Sequence, residues 1–477
     1  METVKIIQYL KDICAIPHES KDEKAIAEYL MTFAKERNLE TWQDEKGNVL
    51  IKKPATGCEG KEAVILQGHL DMVYVKAEES AHKYEEGIKV LEDEEFLFAE
   101  GTSLGADNGI AIAYCMMLMD SNEIVHPDLE MLFTVEEEVG LAGAGAFDVT
   151  KLKGKKFINI DSEEEGIFCA SCAGAVRAGL SWNIEREEWS ESDDIHMFTV
   201  EITGLKGGHS GMNIDMGRAN AIQLMGRILY ELNQVCDYHI GKIQIPGKAN
   251  AIPSCAKVVL YAEGSQTEVL KNKVNELEKQ FQNEHEVTDT ISISVSEEKV
   301  RGNQNVYVKE LNKRIANTIM MVPNGVMSYS EKVEGLVETS MNMGFLEEQG
   351  DRLYMLSSVR SAVDSKKYFI RNKMKIIAEM YCDEVEFLND YPGWQYVEES
   401  PIREIACDVY KKITGKEPEV QAIHAGLECG FWYRKNPEFD LISIGPDIFD
   451  VHSVNERVSK KSIINTWEFL KEILKKI

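Results

Sequence analysis

Apolar residues recur every three or four positions at Val4, Ile7, Leu10 and Cys14 with charges between them, and this stripe predicts a first helix. A second helix is expected over Glu23 to Glu36. The texture then changes to the short apolar runs NVLIKK, AVILQGH and LEMLFTV, which have the length and composition of strands. Runs such as AVILQ are apolar at consecutive positions and pass straight into polar residues, as parallel strands do when both faces are covered and their C-terminal ends open onto a site. Helices alternating with such strands predict an α/β layer. From about Ala173 the strands become amphipathic (AVRAGLSWNI, HMFTVEITG, AKVVLYAEG, TISISVSEE, RLYMLSSVRSAV), with helices expected near 219–234, 268–282 and 309–320. After Tyr391, Pro392 and Gly393 the first texture returns: a helix from Pro401, the run DLISIGP and a terminal helix. The expected organisation is an α/β layer built from residues 1–172 and 391–477 and split by an α+β insertion at 173–390. No low-complexity tract or short-period repeat is visible.

The 477 residues carry a formal net charge of −28, with 44% hydrophobic and 28% charged positions. That length and composition provide for two or three domains with full cores. The acidic excess repels phosphate backbones and anionic lipid, so neither a nucleic acid nor a membrane surface is an expected partner. A bound metal or a small cationic or neutral ligand fits better. The first helix lacks the uninterrupted apolar stretch of an export signal, and the longest apolar run, Gly109 to Met119, is too short to span a bilayer. A cytoplasmic protein is expected. The ten cysteines are scattered in mostly apolar segments, which reads as reduced core thiols. Cys169 and Cys172 form the one close pair, and no second pair supports a zinc knuckle.

Four clusters of acids and histidines follow expected strands or strand-like runs: His69 and Asp71 in QGHLDMV, Asp107 in LGADNG, Glu136 to Glu138 in TVEEEVG, and Asp161 in NIDSEEEG. A fifth, in DVHSVNE, holds His452. Imidazole with carboxylate suits zinc, and a carboxylate has two oxygens with which to bridge two ions about 3.5 to 4 Å apart. Alone, a histidine after a strand is usually a satisfied structural residue, and a run of glutamates is usually a solvated face. Their joint placement at strand ends points to a two-metal hydrolytic site. In HLD, Asp71 is suited to accept the second imidazole N–H of His69 and so fix its tautomer.

With these residues in view, QGHLDMV, GTSLGADNGIAIA, TVEEEVGL, NIDSEEEG, GGHSG, NAIP and IHAGLECG together resemble the M20 family of co-catalytic zinc peptidases, within it the aminoacyl-histidine dipeptidase branch. The resemblance covers essentially the whole chain. It implies a split zinc-peptidase catalytic domain with an inserted α+β lid and dimerisation domain. It makes His69 and Asp161 terminal ligands of one zinc, Glu138 and His452 terminal ligands of the other, and Asp107 the bridge, with manganese or cobalt as possible substitutes. Glu137 becomes the general base and Asp71 its catalytic companion; spacing alone leaves the register inside Glu136 to Glu138 open. His209 in GGHSG is implied to cross a homodimer and hold the oxyanion. Asn250 and Arg360 are implied to hold the substrate from the lid, with Gly426 and Glu428 near its amino end. The implied activity is hydrolysis of dipeptides by metal-activated water. An N-acyl amino acid deacylase or tripeptidase of the same family is the alternative, and a non-catalytic metal-binding scaffold a more distant one. One departure is VHSVNER, where the family commonly has HSPDE, so that Val454 and Asn455 replace Pro and Asp.

Overall fold

The computed structural model describes residues 2–189 and 194–477. The chain divides into two compact units, Met1–Cys172 with Gly393–Ile477, and Ala173–Pro392.

The first unit is built on an eight-stranded sheet ordered Glu40–Gln43, Val49–Lys53, Leu129–Thr134, Val64–His69, Lys156–Asn159, Asp440–Ser443, Ile167–Cys172 and Glu419–Ile423. Its middle strands Leu129–Thr134, Val64–His69, Lys156–Asn159 and Asp440–Ser443 run parallel, so their C-terminal ends share one edge. Leu129–Thr134 and Val64–His69 are buried at every position, which explains their continuous apolar runs. The helix Ala106–Asp120 is apolar all round and correspondingly buried along nearly its whole length. It lies tightly on the His69 strand: a Cβ on Gly68 would stand 2.3 Å from Asn108 Oδ1 and 2.6 Å from Ala111 Cβ. Only glycine lets the start of this helix, with Asp107 in its first turn, come so close to His69. The helix Pro401–Thr414 begins where the sequence predicts, and local signals close both its ends: Ser400 caps the N-terminus, proline sits in the first turn, and Gly415 closes the other end at φ 72°. Among the described residues no helix is long and apolar enough to cross a membrane.

The second unit holds a nine-stranded sheet with its own core, and its topology contains a duplication. Strand Ile195–Thr203, helix Ala221–Val235, strands His239–Ile245 and Ala256–Glu263, helix Thr267–Glu284 and strand Ser292–Val300 form a βαββαβ motif with strand order 4-1-3-2. The second copy starts with Gly174–Asn183 and is interrupted by the whole first copy. It then resumes with helix Lys309–Met321, strands Val337–Gln349 and Arg352–Ser361, helix Asp364–Tyr381 and strand Glu384–Tyr391, in the mirrored order 2-3-1-4. The second strands of the two copies meet antiparallel at Gln244↔Glu347 and Ile245↔Leu346, which makes one continuous sheet. Their first helices also pack closely, with Gly226 facing Ile319; a Cβ there would stand 2.2 Å from Ile319 Cγ2.

Candidate metal centre

The shared strand edge of the first unit delivers the acids and histidines. His69 is the last residue of its strand, the Glu136–Glu138 turn follows Thr134, and Asp161 follows Asn159 by two positions. Asp107 arrives from the helix laid against the His69 strand, and His452 from a turn in which its own φ is +58° and that of Asp450 is +53°. Both are left-handed backbones that non-glycine residues seldom adopt.

Asp107 faces two ways. Its Oδ1 lies 3.0 Å from His69 Nε2, and its Oδ2 lies 3.2 Å from His452 Nε2. Asp161 Oδ1 stands 3.3 Å from the same nitrogen of His69, and Glu138 Oε1 2.8 Å from the same nitrogen of His452. The five residues thus sort into His69 with Asp161 and His452 with Glu138, and Asp107 spends one oxygen on each pair. Donor atoms of His69, Asp107 and Glu138 come within 4.8 Å of one another.

The turn of three glutamates separates its members by direction. Glu136, at φ +51°, points its carboxylate at Lys46 Nζ, 2.5 Å away. Glu138 turns to His452, and Glu137 is tucked between them, hemmed in by the charges of His69, Asp161, Glu138 and Glu428. Two other carboxylates hold the backbone of this turn: Glu23 accepts from the Glu136 N–H (3.0 Å), and Asp71 from the N–H groups of Glu137 (2.9 Å) and Glu138 (3.2 Å). Asp71 also accepts from Ser20 Oγ at 2.7 Å. Its expected hydrogen bond to His69 is made differently. The Asp71 backbone carbonyl takes the Nδ1–H of His69 at 2.9 Å, while the nearer carboxylate oxygen is 3.6 Å away, beyond hydrogen-bond reach. This contact leaves Nε2 toward Asp107, and the Asp71 carboxylate, still close enough to His69 to act on its charge, also shapes the glutamate turn.

Carboxylates outnumber histidines in this cluster, which is largely out of water apart from the exposed His452, and the protonation of both reflects it. Burial works against the charge on His69, yet Asp161, Asp107 and Asp71 outweigh it and raise its pKa well above the ordinary value. Hydrogen bonds to Asp107 and Glu138 push His452 up to about 11. Burial also opposes the charge on Asp107, and contacts with both imidazoles reverse this and hold its carboxyl below the ordinary range. Burial raises Glu137, Glu138 and Asp161, helped by neighbouring carboxylates. So many acids packed out of water are costly unless cations offset them. Two imidazole nitrogens with carboxylate oxygens are the donor set of zinc, manganese or cobalt, and the residues fit a pair of such ions.

Two supporting residues are absent from the sequence reading. Asn108 accepts the His69 N–H (3.2 Å) and donates to the Ile160 carbonyl (2.6 Å), so it ties together the backbones beside His69, Asp107 and Asp161. Its signal is a lone asparagine opening an apolar helix. Gln67 donates to Glu428 Oε2 (2.5 Å) and accepts from Asn159 (2.7 Å) and Trp432 (3.3 Å). Glu428 is completely buried, also accepts from Thr134 Oγ1 at 2.7 Å, and leaves Oε1 without a partner; burial pushes its carboxyl up to about 8. It therefore links the His69 and Thr134 strands through Gln67 and Thr134, and its charge acts on Glu137, while Gly426 before it is half-buried. Cys169 and Cys172 are free, buried thiols, pushed by burial up to about 11 and about 12, as inert core residues are.

In the second unit, a two-residue ladder pairs Gly208 with Ile252 and His209 with Ala251, which sets Asn250 beside His209; the Asn250 carbonyl accepts the Ser210 N–H at 2.8 Å. His209 Nδ1 accepts from the N–H groups of Gly211 (3.2 Å) and Met212 (3.1 Å). The ring proton must then sit on Nε2. Burial and the nearby Arg360 charge lower the His209 pKa and favour this neutral donor. Arg360 is 7% exposed, paired in register with Ser340 and Ala175, and its Nε has no hydrogen-bond partner.

The chain is similar to known proteins over its full length. The cytosol non-specific dipeptidase of Escherichia coli (strain K12) is 34% identical over 467 residues, which is 98% of this chain and 96% of that protein. The crystal structure of aminoacylhistidine dipeptidase from Vibrio alginolyticus superposes with a TM-score of 0.90 at 36% identity, covering 99% of this chain and 96% of that one. An aminopeptidase from Bacillus cereus shares the fold at 15% identity, with a TM-score of 0.57 over 99% of this chain and 98% of that one. Residues 65–476 match the model of peptidase family M20/M25/M40, and on that span and the relatives at full length the chain belongs to this family.

Proposed function

We propose that this chain is a cytoplasmic dipeptidase that works with two divalent ions, zinc in the first instance. His69 and Asp161 would hold one ion, Glu138 and His452 the other, and Asp107 both. The observation that carries this reading is the division of Asp107 between the two imidazoles. Bound there, the ions would supply activated water and a polarised scissile carbonyl. Glu137 takes the proton of the attacking water and delivers it to the leaving amine. It suits the task by position: Glu136 is occupied by Lys46 and Glu138 by His452. Asp71 keeps Glu137 and Glu138 in place through their backbone N–H groups. His209 donates from Nε2 to the oxyanion. Arg360, buried and short of an acceptor, grips the substrate carboxylate with Asn250 alongside. The full-length likeness to two dipeptidases supports dipeptides over N-acyl amino acids or tripeptides as substrates.

For His209 there are two readings. The family resemblance implies a homodimer in which it serves the partner's site. The duplicated βαββαβ halves of the second unit favour another, in which one chain contains the paired modules that a dimer would otherwise assemble.

The activity is tested with dipeptides that are free, N-acetylated or amidated at the C-terminus. The free dipeptides should be hydrolysed best by the wild type, and Arg360→Ala should raise KM strongly for them while changing the amidated ones little. Equal losses on free and amidated substrates would give Arg360 another task, and preference for the acetylated ones would make the enzyme a deacylase.

Neighbouring base and ligand should fail differently. Glu137→Gln should keep two zinc ions per chain while kcat falls by roughly 10² to 10⁴, the contribution of general-base catalysis, whereas Glu138→Gln should lose metal. Full activity in Glu137→Gln would remove it as the base.

Mixing His209→Ala with Glu137→Gln separates the two His209 readings. Recovered activity in demonstrated mixed dimers belongs to the dimer reading. No recovery, together with a fully active wild-type monomer in sedimentation, belongs to the single-chain reading.

A further inference from the structure

Four backbone N–H groups at the start of the helix Ala106–Asp120 converge on one side chain. Glu456 Oε2 accepts from Leu104 (2.8 Å) and Gly105 (3.1 Å), and Oε1 accepts from Ala106 (2.8 Å) and Asp107 (3.4 Å). A helix leaves its first N–H groups without internal partners, and a nearby Ser, Thr, Asp or Asn usually takes one or two of them. Here the capping position is Gly105, in the left-handed region at φ 81°, with no side chain to offer. A carboxylate 350 residues away along the chain, 3% exposed, takes all four. Bonds that converge on a carboxyl group at the positive end of a helix satisfy donors the helix cannot satisfy itself.

Glu456 also stands four residues after His452, in the same turn. The turn is tied down by its own bonds: the Ser453 hydroxyl donates to the Asp450 carbonyl (2.6 Å) and accepts from the Asn455 N–H (3.1 Å), and the Glu456 N–H donates to the Ser453 carbonyl (3.3 Å). The contacts close a ring. Asp107 hangs from Glu456 by its backbone, Glu456 continues through the turn to His452, and His452 returns to Asp107 Oδ2 at 3.2 Å.

We propose that Glu456 is a positioning residue of the metal centre, a clamp that brings the Asp107 segment and the His452 turn together before any ion arrives. This rests on the two-ion reading above. Its consequence is selective. Of the three residues assigned to the second ion, Asp107 and His452 depend on the clamp. The first ion shares only Asp107, whose neighbour Asn108 independently fastens it to the backbones beside His69 and Asp161. Loss of the clamp should therefore loosen the second ion and spare the first.

Glu456→Gln keeps the size of the side chain but turns an NH₂ group toward N–H groups that need an acceptor. Zinc titrated calorimetrically into the metal-free protein is the probe, with the absorption spectrum of the cobalt-loaded protein as a second readout. Glu130→Gln is the control, since Glu130 is equally buried and accepts two backbone N–H groups, from Lys153 (2.7 Å) and Gly154 (2.9 Å), at the other end of the Thr134 strand. Wild type and Glu130→Gln should bind two zinc ions alike. Glu456→Gln should bind the first as they do and the second at least roughly tenfold more weakly, within the range that residues supporting metal ligands contribute. Its cobalt spectrum should change only on the second equivalent. Unchanged binding in Glu456→Gln, or equal weakening of both ions, would overturn the proposal. If that variant does not fold, hydrogen exchange in metal-free wild type decides: the clamp requires the amides of residues 104–107 to be protected, and exchange at the rate of an open loop would rule it out. Failure of the wild type to take up two ions would instead remove the two-ion reading, a result the exchange experiment does not share.

Discussion

A single carboxylate can face two imidazoles only if the chain brings those imidazoles to it from different directions, and this requirement on Asp107 organises the first unit. His69 comes up the end of a fully buried strand, while His452 swings in on a turn from near the other end of the chain. Asp107 reaches between them because its helix starts against that strand, at a place where Gly68 leaves room for nothing larger. Parallel strands with a common C-terminal edge bring Asp161 and the glutamate turn to the same spot. The two-fold division of donors is thus a property of the fold's edge.

The cluster concentrates charge that the rest of the unit must tolerate. Left-handed backbones at Glu136 and His452 cost free energy, typically of order 1 kcal/mol or more each, and persist because surrounding bonds determine them. Residues that are not candidate ligands supply the surrounding bonds. Glu23 and Asp71 hold the glutamate turn by its N–H groups, Glu428 links two strand ends, and the turn of His452 is laced by Ser453. On the proposed reading, the acidity is there to receive cations, and the outer carboxylates keep its geometry ready.

Much of this was legible in the sequence because it is carried by local patterns. The apolar runs before His69 and Glu136 mark buried parallel strands, and the observed strands Val64–His69 and Leu129–Thr134 lie within AVILQGH and LEMLFTV. Helices were equally plain, from Glu2–Cys14 at one end to Pro401–Thr414 near the other. Three identical glutamates could not be ordered by spacing, since what distinguishes them is a positive φ at Glu136 and a lysine 90 residues away. Proximity to His69 in sequence likewise showed only part of what Asp71 does, since its backbone carbonyl takes the imidazole N–H while its carboxylate, near His69, also holds the Glu137 and Glu138 N–H groups. Long-range anchors such as Asn108 and the burial of Glu428 left no periodic trace. The duplication in the second unit was invisible because its copies share topology without a readable repeat, and one is inserted into the other.

In the proposed centre His69 and Asp161 would hold one ion and Glu138 and His452 the other, and Asp107 would serve both. Anomalous diffraction at the zinc edge from zinc-loaded crystals tests it most directly. Two peaks about 3.5 to 4 Å apart, the separation of co-catalytic pairs, are expected, with Asp107 Oδ1 on the ion near His69 and Oδ2 on the ion near His452. A single peak, or two peaks with both Asp107 oxygens on one ion, would contradict it.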